Sequence, residues 1–281
     1  MDTPEKKLNN YTQRALTGIV FVCCLIGAIV FNPYTFWGLF GSITLLAIWE
    51  FYSLAEKDNT QPQKIVGTFI AGLLFVLTAS IAVGVVSVYV IATIIPLLFS
   101  LFIFELYTKS KRPFTNISYT ILGIFYVALP FSLLNFLIFR NGLGYSPHIV
   151  LGYFFILWSC DTGAYLIGKS FGKHKLFSRI SPKKSWEGTI GGTFIGLVTG
   201  YILSKYYTDL TLINWLTIAI IIAVIGAFGD LAESLFKRSI DIKDSGTILP
   251  GHGGLLDRFD SLLLSVPFIW AYLMLISHLK L

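Results

Sequence analysis

Between Ser234 and Asp260 the chain reads SLFKRSIDIKDSGTILPGHGGLLDRFD, and into this run it packs four aspartates, four Lys or Arg, one His and four glycines. The carboxylates of Asp241, Asp244, Asp257 and Asp260 are hard oxygen ligands of the kind Mg²⁺ accepts, and Lys237, Arg238, Lys243 and Arg258 carry the charge that matches phosphate. Gly246, Gly251, Gly253 and Gly254 surround Pro250 and His252, so the middle of the run is a turn-rich loop whose backbone can approach a ligand closely. The residue types point to metal-assisted phosphate chemistry.

Three further constellations carry the same signal. Asp230, Glu233, Ser234 and Lys237 stand at i, i+3, i+4 and i+7, which lines them along one helical face. A solvated helix end with Lys237 and Arg238 snorkelling to an interface would explain most of that stripe. Asp230 resists this account, because it follows Gly229 inside an apolar run and needs a partner there. Asp257 and Asp260 are again three apart: they can face one ion together with Asp230, or cap the helix they open. The second basic cluster, Lys169 to Thr189, brings Lys183, Lys184 and Ser185 up to Trp186-Glu187-Gly188, where a helix begins. Cations and free N–H groups in one place suit a triphosphate, although a basic loop attracted to anionic lipid has the same composition. Asp161 lies deep in an apolar run with Tyr165 and Lys169 at helical intervals. Its roles stay open between metal ligand, acceptor for a nucleotide, and partner of Lys169 or Arg179.

The elements that must hold these groups are read from the rest of the chain. Of 281 residues, 55% are apolar and 13% charged, and the mean hydropathy is +0.74, outside the range of ordinary soluble domains. Apolar runs of about 20 residues, enough to cross roughly 30 Å of hydrocarbon, recur over residues 15–33, 36–55, 65–83, 86–107, 117–139, 149–168, 188–206, 211–235 and 259–279. Their continuous apolarity, without period-two alternation, predicts helices and not a barrel. The fold class expected is therefore an all-α integral membrane bundle of about nine helices, one membrane domain. Residues 1–147 serve mainly as scaffold and 148–281 carry the catalytic helices and loops. With the N-terminus cytoplasmic and the C-terminus on the opposite side, all of the 21 basic residues except Arg140, Lys205 and Lys280 fall on the inner face. The net charge of +6 thus lines one membrane surface and, with no nucleic-acid motif beside it, excludes nucleic acid as a partner.

The pattern Ser-x-x-Lys-Arg-x4-Lys-Asp, then Pro-x-His-Gly-Gly, then Asp-Arg-x-Asp resembles the signature of phosphatidate cytidylyltransferases. It is carried by Ser234, Lys237, Arg238, Lys243, Asp244, Gly246, Pro250, His252, Gly253, Gly254, Asp257, Arg258 and Asp260 without a departure. Ser-Pro-Lys-Lys-Ser-Trp-Glu-Gly at 181–188, Asp161 with Gly163, and the Gly229-Asp230 pair resemble that family's motifs too. The resemblance implies an enzyme that joins CTP to phosphatidic acid, giving CDP-diacylglycerol and pyrophosphate. The implied site has metal ligands Asp230, Asp257 and Asp260 for Mg²⁺, with a second cation, monovalent or divalent, left open. Lys237, Arg238, Asp244, His252 and Arg258 form its catalytic group; Asp161, Lys183, Lys184, Ser185, Glu187 and Lys243 bind the nucleotide. His252 holds phosphate or shapes the turn and is not the base, since a phosphate monoester is largely dianionic near neutral pH. A bacterial inner membrane with the site facing the cytoplasm is the expected location. Two alternatives use the same residues: a transporter of anionic or phosphorylated solutes, and a CTP-dependent lipid kinase.

The remaining features have plainer accounts. Glu50 and Glu105 fall in the scaffold half, toward the cytoplasmic ends of their spans. Cys23, Cys24 and Cys160 form no disulfide framework and are expected to be buried small residues. Asn116-Ile117-Ser118 is read as a chance sequon. Gly188, Gly192, Gly196 and Gly200 repeat every four residues, a seam for close helix approach within the bundle or across a homodimer.

Overall fold

Backbone groups in lipid must be satisfied within their own segment, and each of the nine predicted apolar runs falls on helix. The computed structural model describes residues 4–140, 144–242, 245–246 and 253–279. Its helices are α1 (Pro4–Phe31), α2 (Pro33–Ala55), α3 (Lys64–Ala82), α4 (Ile94–Leu106), α5 (Pro113–Gly123), α6 (Leu129–Ile138), α7 (His148–Phe171), α8 (Trp186–Tyr206), α9 (Leu212–Ile221), α10 (Ala227–Ser239) and α11 (Leu256–Leu279). A 3-10 stretch, Val88–Thr93, leads into α4; π-helical turns at Ile124–Ala128 and Ile222–Gly226 join α5 to α6 and α9 to α10 without a break.

Among the described residues seven stretches are long and apolar enough to cross a membrane: Pro33–Asp58, Lys64–Ala82, Val88–Leu106, Pro113–Ile138, His148–Phe171, Leu212–Ser239 and Leu256–Ser277. The first predicted run appears as the shorter apolar helix Leu16–Phe31. The seventh lies on α8, which is 21 residues long but diluted by glycine. The chain is thus an all-α membrane protein.

Local chemistry fixes several helix ends. Asn32 caps α2 by accepting the Thr35 amide at 3.0 Å, Thr35 Oγ1 accepts the Asn32 amide in return, and Pro33 supplies a helical φ at the first position. Ser185 caps α8 by accepting the Gly188 amide at 3.2 Å. The basic segment before α8, expected to be loop, contains an antiparallel hairpin, β1 (Lys175–Phe177) with β2 (Ser181–Ser185). Pairing Lys175 with Ser185 delivers the chain to the α8 cap already extended.

The glycine seam is filled inside the chain. A Cβ on Gly192 would lie 2.6 Å from the Cys160 carbonyl oxygen and 3.0 Å from Ala164 Cβ, and one on Gly196 would strike Cys160 Sγ. Gly188 abuts Ala164 and Gly168 of α7 in the same way, while Gly200 meets Trp215 of α9. Small residues let α8 and α7 touch backbone to backbone, the contact that van der Waals packing rewards in lipid. The opposite face of α8 leaves Ile190, Phe194, Val198 and Tyr201 exposed. Cys160 is buried by this contact as expected, but Cys23 and Cys24 are exposed on α1, because that stretch of α1 turns them away from its neighbours. Asn116 is buried and structural: it donates to Glu105 Oε1 at 2.7 Å and accepts the Gln61 amide at 2.8 Å.

Gly192→Leu is expected to force α8 off α7, at a cost of about 1–3 kcal/mol or more, seen as a drop of several degrees in the thermal midpoint of the detergent-solubilised protein. Ile190→Leu, on the exposed face, should leave that midpoint nearly unchanged.

Candidate active site

Placement of the acids begins with a glycine. A Cβ on Gly229 would lie 2.6 Å from the carbonyl oxygen of Asp260 and 3.1 Å from Ser261 Cα, so α10 rests on α11 at that level only because the side chain is absent. The next residue of α10 is Asp230, which is thereby set beside Asp260. One turn earlier the π-helical turn ends at Gly226, whose missing side chain faces Ser261 at 3.4 Å. Such turns shift the register of a helix and recur at functional sites.

A cavity of about 810 Å³ opens at this crossing. Asp161 of α7, Lys183, Lys184 and Ser185 of β2, Asp230 of α10, and Asp257, Arg258 and Asp260 of α11 all line it, together with Thr17 and Phe21 of α1. Residues from five separate elements, most of them singled out by type and spacing, thus share one chamber. Lys184 crosses it: its ammonium lies 2.6 Å from Asp230 Oδ2 and 3.4 Å from the Ala227 carbonyl oxygen. Asp260 accepts the amide of Ser261 at 2.6 Å.

Asp257 has a different set of partners from Asp230 and Asp260. Its Oδ1 is 2.5 Å from Lys237 Nζ, which also lies 2.5 Å from Glu233 Oε2. Its Oδ2 accepts from the Ser245 amide at 3.0 Å and the Gly254 amide at 3.0 Å, and lies 2.8 Å from the Ser245 hydroxyl. Lys237 is buried between two carboxylates from different helices; it clamps α10 to α11 instead of projecting into the chamber.

The donor set suits a hard divalent ion. No three His, Cys, Asp or Glu side chains form a ready-made metal cluster among the described residues. Mg²⁺ does not require one, since it is commonly held by one or two carboxylates, with waters and substrate phosphates completing its shell. Asp230 and Asp260 are two such carboxylates on one wall, with Asp161 in the same cavity.

Other predicted residues stand elsewhere. Arg238 is exposed and donates to the Ile242 carbonyl oxygen at 3.0 Å, closing the end of α10. Glu187 lies on the outer side of the hairpin, where it accepts the Lys173 amide at 3.1 Å and the His174 amide at 3.2 Å, and contacts His174 Nδ1 at 2.6 Å. Hydrogen bonds from its own amide and the His174 ring hold its carboxyl down at about 2. Lys243, Asp244 and His252 lie outside the described residues. One residue missed by sequence reasoning is Glu50. It reaches from α2 to the loop that opens α11, and accepts from the Ser245 hydroxyl and the Leu255 and Leu256 amides. Only its cost as an intramembrane carboxylate could have flagged it.

Comparison with known proteins places these residues in context. The sequence pattern described as "Cytidylyltransferase family" matches residues 12–276. "Phosphatidate cytidylyltransferase" of Staphylococcus aureus is 34% identical over 251 residues, covering 87% of this chain and 94% of that protein. The protein of the same description from Haemophilus influenzae is 31% identical over 276 residues, covering 91% of this chain and 96% of that one.

Two outcomes follow from the ion pairs. Lys237→Met leaves Glu233 and Asp257 facing each other without their shared cation, and is expected to cost about 3–5 kcal/mol of stability, measured by unfolding in mixed micelles. The Glu187 tie, whose carboxyl is lowered from 4.5 to about 2, is fully present above pH 4.5 and lost as the pH falls toward 2. Hydrogen exchange at the Lys173 and His174 amides should accelerate only across that acid window.

Proposed function

This chain belongs to the cytidylyltransferase family, and from that premise we propose that the cavity between α7, α8, α10 and α11 is where CTP and phosphatidic acid are joined to give CDP-diacylglycerol and pyrophosphate. The single observation that carries the site assignment is the sharing of one chamber by the carboxylates of Asp230 and Asp260 and the cations Lys183, Lys184 and Arg258. Its relatives are described as cytidylyltransferases, which favours transfer of the nucleotidyl group over phosphoryl transfer or solute transport.

The reaction is an in-line displacement: a phosphate oxygen of phosphatidate attacks the α-phosphorus of CTP, the new P–O bond forms, and the bond to the β-phosphate oxygen breaks. The attacking oxygen is already anionic near neutral pH, so no general base is required. The barrier lies in bringing two polyanions together. Lys183 and Lys184 meet the triphosphate beside the first free amides of α8, where cations and the helix N-terminus act in concert. Asp230 keeps Lys184 stretched across the chamber, and Arg258 faces the same space. Mg²⁺, held by Asp230 and Asp260, would supply charge neutralisation of the transferring group and the leaving pyrophosphate. The Lys237 clamp keeps the two acid-bearing helices in register, the positioning on which such displacement depends.

The basic residues support a cytoplasmic site in a bacterial inner membrane, with nine spans once α1 and α8 are counted as crossing. Soluble CTP then enters from water while the diacyl tails of the second substrate remain in lipid.

Purified protein supplied with CTP, Mg²⁺ and phosphatidic acid should yield CDP-lipid and pyrophosphate in equal amounts; solute flux without turnover would overturn the assignment. Asp260→Asn should lower kcat by about 100-fold or more. Lys184→Ala should raise KM for CTP about ten-fold or more, the loss of a charge-assisted contact; an unchanged KM removes Lys184 from the triphosphate site.

A further inference from the structure

Among the described residues of the N-terminal half Glu50 is the carboxylate met by the most donors, and every one of them belongs to the segment before α11 or to its first residue. It is 5% exposed. Its Oε1 accepts the Ser245 hydroxyl at 2.7 Å and the Leu256 amide at 3.1 Å; its Oε2 accepts the Leu255 amide at 2.9 Å. No Lys or Arg pairs with it among the described residues. A buried anion without a counter-ion is expensive in a membrane bundle, and here the expense is offset by donors at a helix N-terminus, where both the free amides and the helix dipole favour negative charge.

Two glycines of this segment make room for the carboxylate. A Cβ on Gly254 would strike Glu50 Oε1 directly, and one on Gly246 would lie 3.2 Å from Oε2. Two glycines of the signature therefore stand where they do because a side chain from another helix fills the space. Ser245 bridges Glu50 to Asp257, donating its hydroxyl to Glu50 Oε1 at 2.7 Å and its amide to Asp257 Oδ2 at 3.0 Å, and Asp257 in turn holds Lys237. A continuous chain of contacts thus runs from α2 through the loop to the clamp between α10 and α11.

We propose that Glu50 is a positioning residue for cytidylyl transfer, acting as an N-terminal cap supplied in trans by α2 that sets the first turn of α11 and so aims Asp260 and Arg258 into the chamber. The proposal rests on the reaction and site argued above, but its structural half can be read without activity. Glu50→Gln keeps size and shape while replacing one acceptor oxygen by an NH₂ group that confronts an amide donor. The expected result is a fall in kcat of about 10- to 100-fold, the scale on which small misplacements act, with KM for CTP changed by less than about three-fold, since the Lys183 and Lys184 side of the chamber is untouched. Hydrogen exchange at the Leu255 and Leu256 amides should rise by about ten-fold while amides of α7 and α8 keep their protection. Ser245→Ala, a gentler change, should move kcat and exchange in the same direction by about three-fold, which keeps the test available if Glu50→Gln does not fold. Normal kcat with unchanged exchange in either folded variant would overturn the proposal. So would loosening spread evenly over all helices, which marks a residue of general stability alone. Wild-type protein that makes no CDP-lipid would instead refute the assigned reaction, while the local exchange at α11 would still report on the cap.

Discussion

The proposed chemistry depends on two helices meeting without side chains between them. At Gly229, α10 comes down onto the backbone of Asp260 and Ser261, and this contact puts two carboxylates from successive helices on one wall. In lipid no hydrophobic force presses helices together, so such an approach must be stabilised by packing and by polar groups that bridge the pair. Here the bridge is Lys237, between Glu233 of α10 and Asp257 of α11. Crossing and bridge are two parts of one joint: glycine allows the distance, and the shared cation holds the register.

The acids divide their labour accordingly. Each intramembrane carboxylate must be met by a cation or by N–H and O–H donors, and the structure meets them in different ways. Asp230 faces Lys184 across an open chamber. Asp257 is surrounded by Lys237, Ser245 and the Gly254 amide. Glu50 is met wholly by the loop and the start of α11. An acid whose partner is a long, partly exposed lysine can yield that lysine to a phosphate and take a divalent cation in its place. An acid embedded in backbone amides is fixed, and its value is architectural.

Much of the arrangement was legible in the residues themselves. The apolar runs announced their helices because a chain in hydrocarbon has few other ways to satisfy its backbone, and the i, i+3 spacing of Asp257 and Asp260 put them on one side of a helix. The Lys183-Lys184-Ser185 segment was legible as a helix entry because Ser is a strong cap. Less legible was the destination of each side chain. Lys237 and Arg238 are adjacent and chemically alike, yet one is buried in a clamp and the other closes a helix end at the surface. Glu187 sits beside the lysines in sequence but turns to the far side of the hairpin. The glycine seam on α8 advertised a close contact without saying with what, and only its partners Ala164, Gly168, Cys160 and Trp215 show that the contact is internal.

By itself the sequence determined that this is a helical membrane protein with residue types suited to phosphate chemistry concentrated in two long charged segments of its C-terminal half, because composition, span length and residue type follow from local physics that needs no partner. Tertiary structure alone decided which acids line the chamber, which are held as struts, and that a glutamate of the second helix caps the last one. Those outcomes depend on contacts between residues as much as 206 positions apart, where periodicity carries no information and only the packing of one helix against another brings donor to acceptor.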